Sequence, residues 1–187
     1  KEMKTNLREM LEAASGIKKT DVQVVLDLGL VREGMRGAGM QYLDGKLWIL
    51  DVENGRLVRV DPVKKSGEVM AGKEDLGGAK LEAAYPGKVT ILSDKGIVEC
   101  SMISVNPVAL REQCSIVVKS DDGWGDVKDM GMFAGNIYLL QEEGIWRYQT
   151  TESGYGNRQE WLATPGIGEV ANMAIDGFVW VMKKDGS

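Results

Sequence analysis

The sequence predicts an all-β chain of repeated four-stranded antiparallel units, preceded by a short N-terminal α-helix. Three observations carry the prediction. A turn–glycine–apolar motif occurs four times, with its glycines at 45, 87, 135 and 177. Glycine supplies 24 of the 187 residues and proline only four, a balance that favours many tight turns over disorder. Helical periodicity is confined to residues 1–16, and residues 22–187 carry β-type patterning instead.

Lys1 to Ala14 is rich in Ala, Leu, Met, Glu, Lys and Arg, all good helix formers. Met3, Leu7, Met10, Leu11 and Ala14 fall at i, i+4, i+7, i+8 and i+11, on one face of a helix. Gly16 suits the residue just past the helix end, with Lys18 and Lys19 beyond the negative end of its dipole. The short stripe suits a packing helix, or the end of a longer one, ahead of the main domain. The competing use is amphipathic docking on a partner or membrane surface. Residues 1–16 thus form one unit and 22–187 the other.

The four copies of the motif are Asp44–Asp51, Pro86–Ser93, Ala134–Gln141 and Asp176–Lys183, spaced by 42, 48 and 42 residues. Each reads turn residue, glycine, one variable residue, four mostly apolar residues, then a polar one. The first three are followed by Gly55, Gly96 or Gly144 and a second β-type run, Leu57–Val60, Ile97–Cys100 or Ile145–Tyr148. Two such runs joined by a tight glycine-containing turn make a hairpin. Weaker strands precede each copy at Gly39–Leu43, Leu81–Tyr85, Val127–Phe133 and Val170–Ile175. Others follow at Glu68–Ala71, Ile116–Lys119 and Arg158–Ala163.

The units therefore lie near 38–73, 81–120, 127–163 and 170–187, the last stopping after its second strand. Val22–Leu28 is expected as the outer strand of a further unit. The connection Ile103–Cys114, opened by Asn106-Pro107, is the longest and accounts for the wider spacing; Arg111, Glu112 and Gln113 suit a short exposed helical turn there. Four strands in roughly 40–50 residues is the signature of a β-propeller blade. The run Leu47–Leu50 does not alternate, so both its faces should be buried, as they are when a blade lies between two others. About three and a half blades make an open partial propeller. Both chain ends read as cut, and the ring would be completed by sequence beyond Ser187 or by a second copy.

The copies resemble the NHL and YVTN-like β-propeller repeats. Val170–Val181 follows their V-x-x-x-A-x-D-G-x-[IV]-[YW]-[VL] consensus closely, Asp129–Leu140 follows it well, and 81–93 is degenerate, with Thr90 in the aromatic slot. The resemblance covers 22–187 and implies a scaffold for proteins, RNA or small molecules, and only sometimes an enzyme.

Composition narrows the chemistry. The 23 basic and 28 acidic residues give a formal charge of −5, so no nucleic-acid surface is expected, and the Trp146-Arg147-Tyr148 triplet does not change that. No apolar run approaches a membrane span, so no direct membrane insertion is expected, and Lys1–Glu12 lacks the apolar core of a signal peptide. Histidine is absent, which removes Ser-His-Asp and Cys-His catalysis and His-ligated zinc. Cys100 and Cys114 are expected as two unpaired thiols; a disulfide is the alternative, which geometry and not sequence decides. They leave the compartment unassigned.

The densest carboxylate cluster supplies the candidate ligand-binding residues Asp121, Asp122, Trp124 and Asp126. Oxygen ligands among glycines suit Ca²⁺ in principle, but the EF-hand order is missing. The competing reading is a solvated loop with Trp124 packed inward, so no cofactor or metal is expected. Trp48, Tyr138 and Trp180 share a register and should be core between blades. Glu82 and Asp129 are the acids available on innermost strands, without a matching ring. Gly34–Gly39 lacks the order of a phosphate loop, and Glu142-Glu143 sits in a turn. The expected function is a non-enzymatic propeller scaffold for protein–protein or domain–domain interaction. The alternatives are a carboxylate- or metal-dependent, lactonase-like hydrolase and a small-ligand or carbohydrate binder.

Overall fold

The computed structural model describes residues 2–16, 22–106, 109–163 and 169–187. A helix, α1 (Glu2–Ser15), forms where the apolar spacing places it. Of its stripe, Leu7, Met10 and Leu11 are exposed, which corrects the expectation of a packing helix.

The rest of the described residues are mostly antiparallel β-structure, in four sheets, with a few short helical turns between them. The first is β1 (Gly39–Leu43), β2 (Lys46–Asp51), β3 (Arg56–Asp61) and β4 (Ser66–Ala71). The second is β5 (Ala79–Tyr85), β6 (Lys88–Ser93), β7 (Gly96–Asn106) and β8 (Ala109–Lys119). The third is β9 (Asp129–Phe133), β10 (Asn136–Gln141), β11 (Gly144–Thr151) and β12 (Gly154–Ala163). Among the described residues the fourth holds two strands, β13 (Val170–Ile175) and β14 (Val179–Lys183). Every sheet pairs its strands in sequence order, each strand with its chain neighbours.

The repeated glycine has one physical cause. Gly45, Gly87 and Gly135 adopt φ of +76°, +84° and +80° in two-residue hairpin turns, and Gly177 adopts +109°. An L side chain is strained there. Asp44 and Ala134 are also at positive φ, so these two turns have the type I′ pattern that matches strand twist. Pro86 before Gly87 instead suits a type II turn.

Each apolar run divides between two faces of its sheet. The first and third residues (Leu47 and Ile49, Val89 and Ile91, Ile137 and Leu139, Val179 and Val181) form a leading face. The second and fourth (Trp48 and Leu50, Thr90 and Leu92, Tyr138 and Leu140, Trp180 and Met182) form a trailing face. Trailing Trp48 and Leu50 pack on leading Val89 and Ile91. Leu92 packs on Ile137 and Leu139, and Tyr138 and Leu140 pack on Val179 and Val181. The same sheet-on-sheet contact thus occurs three times, and burial on both faces explains the lack of alternation. The first strands lie in series, β1 beside β5, β5 beside β9 and β9 beside β13.

Three further expectations are corrected. Val22–Asp27 is not a strand; the chain then forms α2 (Leu28–Val31), capped by Asp27, which accepts a hydrogen bond from the Gly29 N–H at 2.9 Å. Leu26, Leu28, Val31 and Met35 turn inward and cover Ile49, Val58 and Val60 on the leading face of the first sheet. Asp51 holds this segment down by accepting from the Arg36 N–H. Second, Ile103–Cys114 is not a loop with a helical turn but part of the long β7–β8 hairpin; Pro107 lies outside the described residues. Third, Cys100 and Cys114 form a disulfide, because the hairpin register sets them directly opposite with Cα atoms 4.1 Å apart. The expectation of unpaired thiols missed this pairing, since it depends on where the hairpin bends.

Candidate functional site

The loop that carries the sequence's candidate residues crosses from the second sheet to the third and contains one 3₁₀ turn, Asp122–Trp124. Asp121 caps the turn by accepting from the Gly123 N–H at 2.7 Å. The Arg158 guanidinium lies 3.4 Å from the same carboxylate, and the Tyr148 hydroxyl donates to its other oxygen at 3.4 Å. Trp124 is buried between the second and third sheets, its indole N–H donating to Tyr148 and its carbonyl accepting from the Gln141 side chain. Burial is also the main cause that raises the pKa of the Tyr148 phenol. Arg158 lies over the Trp146 ring at 4.4 Å and directly against Gly123, where a Cβ would collide with the guanidinium. Gly123 and Arg158 complete this arrangement, and neither carries a motif that would reveal it in the sequence.

The four candidate residues therefore separate. Asp121 and Trp124 are bound into the structure, Trp124 as a packing residue. Asp122 and Asp126 line a cavity of about 320 Å³ together with Gln141, Glu142, Glu143 and Trp146. Lys128 enters this acidic rim, paired with Asp126 and 3.3 Å from Glu142. Its ammonium takes the position between carboxylates that a cation would use. The pair holds the Asp126 carboxyl below the usual carboxylate range, with the hydrogen bond from Lys128 as the main cause.

A second polar cluster ties the second sheet to the third. Lys88 bonds to Glu99 at 2.8 Å and to the Tyr155 hydroxyl at 2.8 Å, while that hydroxyl donates to Glu99 at 3.1 Å. Burial works against the Lys88 ammonium, but its bonds to Glu99 and Tyr155 prevail and hold its pKa above the ordinary value. Lysine and tyrosine are each satisfied within the cluster, which suits a brace between sheets.

The two inner-strand acids occupy different registers and differ in kind. Asp129 accepts from the Met173 N–H at 2.7 Å and the Met130 N–H at 2.8 Å, joining the third sheet to the fourth. Glu82 is 6% exposed, faces the backbone of Gly39, and neither carboxyl oxygen has a hydrogen-bond partner. Burial alone pushes its pKa up to about 8. The Trp146-Arg147-Tyr148 triplet is not presented as a stacking platform: Tyr148 is buried and Arg147 bonds to Gln159.

The remaining feature is apolar. Trp48 is 6% and Tyr138 4% exposed, as expected for core between sheets, but Trp180 in the same register is 60% exposed. Met182 and Phe178 beside it are exposed too. The expectation of a buried column holds at two of the three positions. At the third, the fourth sheet has a covered leading face and an open trailing one. No protein-family description matches the chain, and no curated protein matches it.

Proposed function

We propose that the four sheets are successive blades of an open β-propeller arc, of the kind the NHL and YVTN-like repeats build. We propose further that the arc is a non-enzymatic scaffold that holds another protein or domain. The observation that carries the reading is the exposed aromatic and apolar surface of Phe178, Trp180 and Met182. A contiguous patch of this kind on one sheet face is a common mark of an interaction surface. Its chemistry matches the three trailing faces that are already covered, so protein is the occupant it suits. The hydrolase alternative gains nothing from Asp121 and Asp126, because each is already held by a cation.

Site-specific photo-cross-linking tests the scaffold reading. A photoreactive residue placed at Met182 in the cell of origin should form adducts with another polypeptide, and one placed at exposed Lys64 should not. Equal adducts at both positions, or none at 182, would overturn it. The cavity beside Trp146 supports one second reading, a small polar ligand or carbohydrate laid against that ring. It predicts a change in tryptophan fluorescence on titration with a glycan panel, and a flat response rejects it.

A further inference from the structure

The cavity beside Trp146 holds more negative charge than the residues around it neutralise. Four carboxylates line it, those of Asp122, Asp126, Glu142 and Glu143. Lys128 enters its rim and serves Asp126 and Glu142. Asp122 and Glu143 make no side-chain hydrogen bond or ion pair among the described residues.

Exposed acids by themselves mean only a solvated rim. Gln141 adds what such a rim lacks. It is 5% exposed and lines the same cavity. Its amide N–H donates to the Trp124 carbonyl, which fixes which end of the carboxamide is the oxygen. That oxygen accepts no hydrogen bond among the described residues and is not sealed off, so it opens into the cavity. A buried acceptor without a donor has lost its water for nothing, and a ligand N–H removes that cost. The site therefore asks for positive charge and N–H donors together. Among the described residues no three carboxylates stand close enough to hold a metal ion, so the acids are spread around the wall. A volume of about 320 Å³ suits a small molecule or one long side chain. Arg158 already lies over the Trp146 ring, so the indole serves as an apolar wall.

This rests on the reading that the cavity takes a small polar ligand, and names its chemistry: we propose that it binds an organic cation with N–H donors, an alkylammonium or guanidinium group. The charge lies toward Asp122 and Glu143, an N–H reaches the Gln141 oxygen, and the carbon atoms lie along Trp146. Such a group belongs either to a free amine or to a lysine or arginine side chain of a polypeptide.

Calorimetric titration of the whole chain tests this with three probes: 1,4-diaminobutane, glucosamine against neutral N-acetylglucosamine, and a short lysine peptide against its Nε-acetylated form. A charged probe should bind, its neutral form should not, and added salt should weaken binding. Asp122→Asn combined with Glu143→Gln should weaken it roughly tenfold, the scale expected when charge-assisted contacts are lost. Glu152→Gln removes the same kind of charge from the β11–β12 turn, away from the cavity, and should leave binding unchanged. Asp122 and Glu143 are exposed, so circular dichroism should show the double variant folded; Glu143→Gln alone carries the test if the 3₁₀ turn of Asp122 is disturbed. Binding of glucosamine or the diamine assigns a free amine, and binding of the lysine peptide alone assigns a polypeptide side chain. Undiminished binding by the double variant overturns the proposal. So does a neutral form that binds as tightly as its charged counterpart, in which case the polar-ligand reading of the cavity stands and the cation is rejected. If no probe binds, both fall.

Discussion

At the position where β1, β9 and β13 carry Met40, Met130 and Met173, β5 carries Glu82, opposite Ile91 as the methionines are opposite Ile49, Leu139 and Val181. A methionine in that slot only fills space, whereas a carboxyl must lose its water and finds no donor in return. Its folded pKa of about 8 lies above the ordinary 4.5, so the folded state holds this proton where the unfolded chain has released it. Stability from this group is therefore present below pH ~4.5 and is lost as pH rises from there through ~8. At about 1.4 kcal/mol per tenfold change in proton affinity, the loss amounts to a few kcal/mol. Glu82→Met should flatten that part of the profile of melting temperature against pH and melt above the wild type at pH 9. Parallel profiles for the two proteins would reject this account. The sequence displays Glu82 plainly, but nothing local distinguishes it from a solvated acid. Its burial in the folded chain, with the Gly39 backbone against the carboxyl, does so.

The hairpins of the repeated motif were legible because each is decided within a few residues. Positive φ at Gly45, Gly87, Gly135 and Gly177 is a property of the turn itself, so the motif marks it wherever it occurs. Less legible was anything set by an element's neighbours. Residues 22–28 have the composition of a strand but cover one, and the α1 stripe has the spacing of a packed helix but covers nothing among the described residues. These two give opposite expectations. Removal of residues 1–16 should leave the melting temperature unchanged, whereas Met35→Ala, which opens a hole under α2, should cost about 2–4 kcal/mol. Calorimetry on both variants checks this, and equal effects would show that the cap is assigned to the wrong segment. The β7–β8 hairpin offers a third test. Its disulfide closes a loop over a separation of 14 residues, worth about 3 kcal/mol in the chain-entropy account. Cys114→Ser should lower the melting temperature by roughly 6–12 °C, the shift such a loss gives in a chain of this size. An unchanged value would mean that the hairpin holds itself without the bridge.

The sequence by itself determined the repeat, its strands and its turns, because alternation, apolar runs and glycine at left-handed positions act over distances of a few residues. Only the tertiary structure decided which copies of the motif are covered. Trp48, Tyr138 and Trp180 stand in the same local sequence, yet the first two are buried and the third is open. The difference lies entirely in whether another sheet packs alongside in space. The same holds for the divided carboxylate cluster, where Arg158, 37 residues beyond Asp121, turns a candidate ligand into half of an ion pair. Burial and charge pairing are properties of what comes to lie alongside a residue, and a linear pattern does not record its neighbours.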